Sequence, residues 1–219
     1  MFSQHLPRER LLEAYRAMQT IRVFEERIMI EMATGDIPGN THLYAGQEAS
    51  AVGVCMHLSD EDYISSTHRG HGHCIAKGVG IDGMMAEIFG KATGTCGGKG
   101  GSQHIADLRK GMLGANGIVA GGAPITCGAA LTAKLSGSKH VAIAFAGDGA
   151  MNEGAMAESR LGNPDRLAVD IGPVIDAEAK AGIEKHIQGM RDKGRNVYQV
   201  AIADSEEVKR GTFVMPTLI

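Results

Sequence analysis

A continuous apolar segment, residues 141–146 with the sequence VAIAFA, ends abruptly in Gly147-Asp148-Gly149. An unbroken apolar run of this length is typical of a strand that is buried on both faces of a parallel sheet. Ligands of open α/β sheets bind beyond the carboxyl ends of the strands. There an Asp can hold Mg²⁺, and flanking glycines let a diphosphate approach the backbone and the next helix. A tight turn with a capping Asp explains the same three residues without a ligand.

The rest of the amino-terminal part alternates between helical patterns and short strands. Apolar residues recur every three or four positions over residues 7–33, and Gly35 follows as a stop. The pattern further predicts a helix from near Gln47, a strand at 63–65, a short helix at 83–89, a shaped loop at 93–102 and a helix from Pro124 to about Leu135. Such alternation predicts a layered α/β fold.

The composition excludes several classes of protein. The formal net charge of -3 leaves no broad basic surface for a nucleic acid. No apolar run approaches the roughly 18 residues that span a bilayer, and the amino terminus is too polar for a secretory signal. The 4 cysteines form neither a disulfide framework nor a CxxC pair. We therefore expect reduced thiols and a cytoplasmic protein.

A second candidate site lies in residues 67–73, which have the sequence THRGHGH. Arg69 suits bidentate contact with a phosphate, and the histidines can donate hydrogen bonds or move protons. A zinc site built from His71, His73 and Cys74 is an alternative, although these ligands crowd one strand-like segment. A solvated loop without a ligand is the third interpretation.

Two glycine-dense loops, residues 96–102 and 114–122, complete the candidate features. Neither has the spacing of an ordinary nucleotide-binding loop. Thr93 stands five residues before Gly98 where a P-loop has Gly, and no GxGxxG follows a strand. Each loop, taken alone, is explained by backbone geometry.

Taken together and in order, these segments resemble the α subunit of the thiamine-diphosphate-dependent 2-oxo acid and acetoin dehydrogenases. The resemblance rests on five motifs: HLYAGQEA at 42–49, THRGHGHCIAKG at 67–78, GKGGSQH at 98–104, NGIV at 116–119 and GDG at 147–149. It covers about residues 6–154, and the segments 67–78 and 93–102 are closest to the acetoin branch. It implies a layered parallel-sheet fold that binds thiamine diphosphate.

The resemblance implies roles for single residues at the two ends of the cofactor. His42 would be a catalytic residue on the substrate side. Gly117 and Val119 would bond the aminopyrimidine through their backbones, with Ile118 packing nearby. Asp148 would be the ligand of Mg²⁺. The residues implied to contact the diphosphate, besides this Asp, are His68, Arg69, Gly147, Gly149 and Ala150.

The same resemblance implies partners and a reaction. The cofactor acts as a carbanion sink, while the protein supplies binding and geometry. In this family a Glu of a separate β subunit activates the pyrimidine, and a lipoyl-bearing acyltransferase receives the acyl unit. We therefore expect this chain to take part in the cleavage of acetoin or of a 2-oxo acid such as pyruvate.

The family pattern stops after about residue 154. The Asn pair that completes the Mg²⁺ shell in the family is missing, so we expect cofactor affinity to be severely weakened. Residues 154–219 resemble an internal slice of the aldehyde dehydrogenase module of bifunctional proline-utilisation enzymes. We accordingly divide the chain into an incomplete thiamine-diphosphate-binding domain, 1–154, and an aldehyde-dehydrogenase-like α/β fragment, 155–219. The strand at 141–146 is expected to lack a neighbour on one side.

Two further functional hypotheses remain at this point. A non-catalytic composite or binding module follows if the truncated domain cannot hold its cofactor. An NAD-dependent aldehyde dehydrogenase fragment is the weaker hypothesis, because no Cys occurs after Cys127 to act as the nucleophile.

Overall fold

A computed structural model describes residues 6–153, 177–199 and 217–218 of the chain. The chain divides into two compact units, Met1–Ala146 and Gly147–Ile219, and each is described by itself. The elements of the first unit are α1 (Arg8–Met32), α2 (Glu48–Cys55), β1 (Tyr63–Ser65), α3 (His71–Ala76), α4 (Ile81–Ile88), β2 (Met112–Gly114), α5 (Gly122–Leu135) and β3 (Ala142–Ala144). Helices and a small parallel sheet alternate, so the α/β prediction is confirmed.

The long first helix, α1, follows the predicted segment closely. Its buried residues lie in the carboxyl-terminal half and include Ile21, Phe24 and Ile28. The apolar residues nearer its amino terminus remain exposed, with Leu11 at 38% and Tyr15 at 56%. The helical period was therefore predicted correctly, but the depth of burial changes along the helix because only the part from Ile21 to Ile28 lies over the core.

The three strands of the first unit form a parallel sheet in the order β2-β1-β3. Ile64 of β1 is opposite Met112 of β2 on one side and Ile143 of β3 on the other. The chain thus passes from β1 to β2 on one side and returns across β1, through α5, to reach β3. Such a reversal of direction is the switch point at which open α/β sheets bind ligands, beyond the carboxyl ends of the strands.

Strand β3 differs from its prediction in one respect. The apolar run suggested burial on both faces, but Ala142 and Ile143 are half-buried, Ala144 is exposed and Val141 is 48% exposed. Within the described residues, β3 pairs with β1 alone. Among the described residues no strand covers its second side, and this explains why an apolar strand remains partly open to solvent.

The main core of the first unit joins the sheet to its helices. Phe24 and Ile28 of α1 meet Ile64 of β1, and α4 adds Met84 and Ile88. A smaller cluster forms where α1 and α2 approach, around Ile21, Tyr44, Ala51 and Val52. Burial of these side chains supplies the main driving force for placing the strand ends and their loops.

The second unit contains a 3₁₀ helix, Asp148–Asn152, at its start. It also contains α6 (Ala177–Asp192) and two short antiparallel strands, β4 (Tyr198–Gln199) and β5 (Thr217–Leu218). The sequence pattern predicts a helix capped by Asp176 and strands at 196–202 and 212–219, and α6, β4 and β5 fall within these segments. The helix cap predicted at Asp176 lies outside the described residues, and the assignment of this region to an aldehyde-dehydrogenase-like fragment stays a prediction. None of the helices described here is both long and apolar enough to cross a bilayer.

Candidate functional site

The carboxyl ends of the three parallel strands place their following loops side by side. The backbone N–H of Ser66, just after β1, donates to the carbonyl of Gly114 at 3.0 Å. On the other side, the N–H of Phe145 donates to the carbonyl of Ser65 at 3.0 Å. The loops that carry residues 67–70 and 115–119 therefore emerge from neighbouring strands at one edge of the sheet.

These two loops touch at Gly70. A Cβ on Gly70 would lie 2.6 Å from the Cβ of Ala115, closer than real side chains approach. Gly70 thus permits contact between the loop of Arg69 and the loop that begins at Ala115. Two of the sequence motifs are brought together by this contact, although 45 residues separate Gly70 from Ala115 in the sequence.

His42, His68 and Arg69 form one cluster at this edge. The rings of His42 and His68 are 5.1 Å apart and nearly perpendicular, at 77°. Arg69 is exposed, and its guanidinium donates to the Leu43 carbonyl at 2.8 Å. A guanidinium has five N–H donors, so this bond orients Arg69 and leaves donors for an anion. The structure therefore assembles three residues that the sequence placed in one site.

The electrostatic environment keeps His68 uncharged at neutral pH. Partial burial lowers the pKa of His68, and the nearby His42 and Arg69 lower it further. A neutral imidazole carries one donor and one acceptor nitrogen, so His68 can both donate and accept a hydrogen bond. The cluster combines one permanent cation with a ring that can move a proton.

The turn that follows β2 presents the predicted pyrimidine-binding residues. The N–H of Ile118 donates to Asn116 Oδ1 at 2.9 Å, which fixes the turn internally. Ile118 and Val119 are 72% and 46% exposed, so their side chains are not buried against the first unit. Gly117 lies against residues 103 and 104, because a Cβ on it would lie 3.1 Å from Gln103 Oε1.

The Gly147-Asp148-Gly149 turn belongs to the second unit. Gly147 has an extended backbone (φ -82°, ψ 169°), and Asp148 is the first residue of the 3₁₀ helix. Asp148 is exposed, whereas Ala150 is buried. The N–H of Ala150 donates to the Gly147 carbonyl at 3.0 Å, which closes the turn. The strand-to-turn prediction is confirmed, and the role of Asp148 as a Mg²⁺ ligand stays a prediction.

The zinc alternative is wrong for His71 and His73. Residues 71–76 form helix α3 rather than the strand-like segment expected. Each ring nitrogen has a protein partner: those of His71 bond Glu25 at 2.8 Å and Ser102 at 2.9 Å. Those of His73 bond Ser66 at 2.7 Å and Tyr44 at 3.0 Å. Among the described residues there is also no cluster of three His, Cys, Asp or Glu side chains suited to a metal.

The glycine-dense loop near residue 98 wraps a carboxylate of its own chain. Glu87 is fully buried. The backbone N–H groups that donate to it are those of Cys96, Gly98, Gly100 and Gly101, at 2.7–3.1 Å. Burial alone would raise the pKa of Glu87, but these four donors together outweigh burial and leave the pKa below its ordinary value. The loop donors are therefore already used, and their role is structural.

A surface cavity of about 550 Å³ lies apart from the predicted residues, between α1 and the start of α2. Tyr15, Gln19 and Gln47 are among its lining residues. Arg22 and Glu48 form an ion pair there at 2.7 Å, and this pair lowers the pKa of Glu48 to about 2. None of the site residues predicted from the sequence lines this cavity.

Sequence reasoning missed the buried polar residues that support the site, above all Glu25, Ser102 and Glu87. One signal was available for Glu25: it lies on the same helical face as Ile21 and Ile28, and so points into the core. Glu87 gave a similar signal, since it lies on the buried face of α4 with Met84 and Ile88, whereas Ser102 lies in a glycine-dense loop without a helical period.

Together, the fold and the site define an α/β protein with a candidate ligand-binding site at the switch point of a parallel sheet. A family model described as "Dehydrogenase E1 component" matches residues 16–160, which is more than half of the chain. The chain therefore belongs to the dehydrogenase E1 component family, in its α-subunit branch.

Named relatives agree with this assignment. The α subunit of acetoin:2,6-dichlorophenolindophenol oxidoreductase from Cupriavidus necator is 48% identical over 94% of this chain and 66% of its own length. The protein of the same name from Bacillus subtilis is 63% identical over 70% of this chain and 46% of its own. The pyruvate dehydrogenase E1 component α subunit of Rhizobium meliloti is 40% identical over 68% of this chain and 42% of its own length.

These relatives are matched over only part of their own length. The chain spans between about two fifths and two thirds of the length of these three relatives. The alignment with the Cupriavidus protein covers 94% of the chain and so continues well past residue 154.

Proposed function

We propose that this chain is the α subunit of a thiamine-diphosphate-dependent dehydrogenase that cleaves acetoin or a 2-oxo acid such as pyruvate. The observation that carries the proposal is the cluster of His42, His68 and Arg69 beside the turn of Gly117, at the switch point of the sheet. Family membership supports the same cofactor. When bound, thiamine diphosphate supplies the carbanion stabilisation that lets such a substrate be cleaved.

The donor set suits the diphosphate end of this cofactor. Arg69 is exposed and oriented by the Leu43 carbonyl, so its free donors would bind phosphate oxygens. The resemblance also implies backbone contacts to the diphosphate from Gly147, Gly149 and Ala150.

The metal requirement is also compatible with the residues present. Mg²⁺ commonly takes one or two carboxylates and completes its shell with phosphate oxygens and water. The exposed carboxylate of Asp148 would supply the protein ligand. We expect this site to be weak, because the sequence lacks the Asn pair that completes the shell in the family.

Other residues of the site suit the pyrimidine and the substrate. Gly117 and Val119 would bond the aminopyrimidine through backbone groups, and the exposed Ile118 would cover part of the ring. One buried polar atom near His42, Thr41 Oγ1, has no hydrogen-bond partner among the described residues, so it would accept or donate to a bound molecule. His42, on the substrate side, would hold and move a proton that cleavage requires, while His68 would lie at the diphosphate with Arg69.

The proposal includes partners. A β subunit would contribute the Glu that activates the pyrimidine, and a lipoyl-bearing acyltransferase would accept the acyl unit. We expect the assembly to work in the cytoplasm. An inactive composite is the alternative, and it differs from the proposal in cofactor binding.

Calorimetric titration of the chain with thiamine diphosphate and Mg²⁺ tests the proposal. We expect saturable binding, weaker than micromolar, that disappears without Mg²⁺ and in Asp148→Asn. Arg69→Ala should weaken binding by about tenfold or more, because a charge-assisted hydrogen bond contributes about 1.5–3 kcal/mol. Arg109→Ala, which alters an exposed arginine of another loop, should bind like the wild type.

Two outcomes would count against the proposal. Absence of binding at millimolar cofactor would support the inactive composite, and equal binding by Arg69→Ala would remove the assigned diphosphate contact. A chain that binds the cofactor should then be purified with a β subunit of an acetoin oxidoreductase. Acetoin and pyruvate can be compared as substrates by the reduction of 2,6-dichlorophenolindophenol.

A further inference from the structure

Three buried polar side chains form a line of hydrogen bonds through the core of the first unit. Glu25 of α1 bonds His71 of α3, with Oε1 and Nδ1 2.8 Å apart. The other ring nitrogen, His71 Nε2, lies 2.9 Å from Ser102 Oγ. Glu25 and His71 have no exposed surface, and Ser102 is 3% exposed. The line therefore connects the first helix to the 3₁₀ turn Gly101–Gln103 through the core.

The hydrogen bonds of this line have a consistent direction. Glu25 Oε2 accepts the backbone N–H of Tyr44 at 2.9 Å, which leaves Oε1 for His71. An ionised carboxylate accepts hydrogen bonds only, so His71 Nδ1 donates to it. In the tautomer that carries its proton on Nδ1, His71 accepts the Ser102 hydroxyl at Nε2. This assignment satisfies each polar atom of the line, as burial requires.

A Ser-His-Glu order also occurs in enzymes that use Ser as a nucleophile. Burial rules out that use here, because a substrate cannot reach the enclosed Ser102 hydroxyl. The bonds hold Ser102 in place rather than prepare it for attack.

Ser102 is the residue through which the line reaches the site. The next two residues, Gln103 and His104, lie against Gly117. A Cβ on Gly117 would lie 3.1 Å from Gln103 Oε1 and 3.3 Å from His104 Nε2. Any shift of Ser102 would move these side chains and the turn of Gly117 with them. Glu87 fixes the loop only as far as Gly101.

We propose that Glu25, His71 and Ser102 are positioning residues. They hold the Gly117 turn in one position and thereby set its affinity for the aminopyrimidine. The proposal rests on the proposed function, since the ligand of that turn is taken from it. The three residues do not touch the ligand. They act through Gln103 and His104, which they hold in one place.

Ser102→Ala provides the most direct test, because it removes one hydroxyl and leaves the backbone unchanged. Lys99 is exposed within the loop, so the rate of tryptic cleavage after Lys99 in the native protein reports how often the loop opens. We expect that rate to rise by about fivefold in Ser102→Ala, with no change at other tryptic sites, since one buried hydrogen bond contributes about 1 kcal/mol. The affinity for thiamine diphosphate with Mg²⁺ should fall by a similar factor.

A matched control and a spectroscopic readout separate positioning from general destabilisation. Ser138→Ala removes a hydroxyl that donates to a backbone carbonyl at the end of α5, and should change neither quantity. The buried Nδ1–H of His71 should give a slowly exchanging proton signal downfield of the amide region. That signal should disappear in His71→Gln and shift in Ser102→Ala. If Ser102→Ala does not fold, Ser102→Cys keeps the volume with a weaker donor and should show the same effects in reduced form.

The outcomes distinguish this inference from the proposed function. A wild-type chain that does not bind thiamine diphosphate refutes the proposed function and the inference together. A wild-type chain that binds, with unchanged affinity and unchanged Lys99 cleavage in Ser102→Ala, refutes the positioning role alone. Weaker binding with faster cleavage at Lys99 supports both.

Discussion

Replacing Glu87 with Gln tests what holds the glycine-dense loop of residues 94–101 in place. The Glu87 carboxylate accepts four backbone N–H groups, two at each oxygen. Gln keeps the volume, but its NH₂ group replaces one oxygen and faces two donors. At about 1–3 kcal/mol for each buried donor left unsatisfied, the free energy of unfolding should fall by about 2–6 kcal/mol. Most single domains have only about 5–15 kcal/mol in total.

Urea denaturation followed by circular dichroism measures this loss. The matched control is Glu61→Gln, which alters an exposed side chain and should change the free energy of unfolding by no more than about 0.5 kcal/mol. Equal urea midpoints for Glu87→Gln and the wild type would refute the reasoning, because they would mean that the four bonds contribute nothing net to stability.

The pH dependence supplies an independent check on Glu87. Its pKa in the folded protein lies below the ordinary value, so folding favours the ionised form. The stabilisation is complete above the ordinary pKa of Glu and is lost as the pH falls through the folded pKa. The stability difference between the wild type and Glu87→Gln should therefore shrink in acid. A difference that stays constant down to the folded pKa would contradict this account.

Three further predictions follow from the described contacts. Gly72→Ala should lower the free energy of unfolding by about 3 kcal/mol or more, because a Cβ there would lie 2.1 Å from the ring of Tyr44. Gly53→Ala, which has open space around it, should raise the free energy of unfolding by about 0.5–1 kcal/mol, and thermal unfolding measures both changes. His73, whose pKa burial lowers to about 3, should show no imidazole titration by NMR between about pH 8 and about pH 5, and a titration in that interval would show that it is not buried. Arg22→Ala should raise the pKa of Glu48 from about 2 toward its ordinary value, as measured by NMR. The greater stability of the wild type relative to this variant should be lost as the pH falls through about 2.

The candidate site was predicted from the sequence to different degrees. Arg69 and Gly117 were identified by resemblance, and the sheet then brought their loops together through the contact of Gly70 with Ala115. The strand β2 was missed because its three residues lie in a glycine-dense stretch without an apolar pattern. Its strand geometry comes from pairing with β1, a partner almost 50 residues earlier in the chain.

Local patterns by themselves determined the helices α1, α2 and α5, the strand β1 and the turn at Gly147, because each is encoded by periodicity, proline or glycine within a few residues. The tertiary structure alone decided which polar groups meet in the core. Burial obliges each of them to find a partner, and that partner is fixed by how distant elements pack rather than by neighbours in the sequence. Glu25 meets His71, and Glu87 meets the loop around it, for that reason.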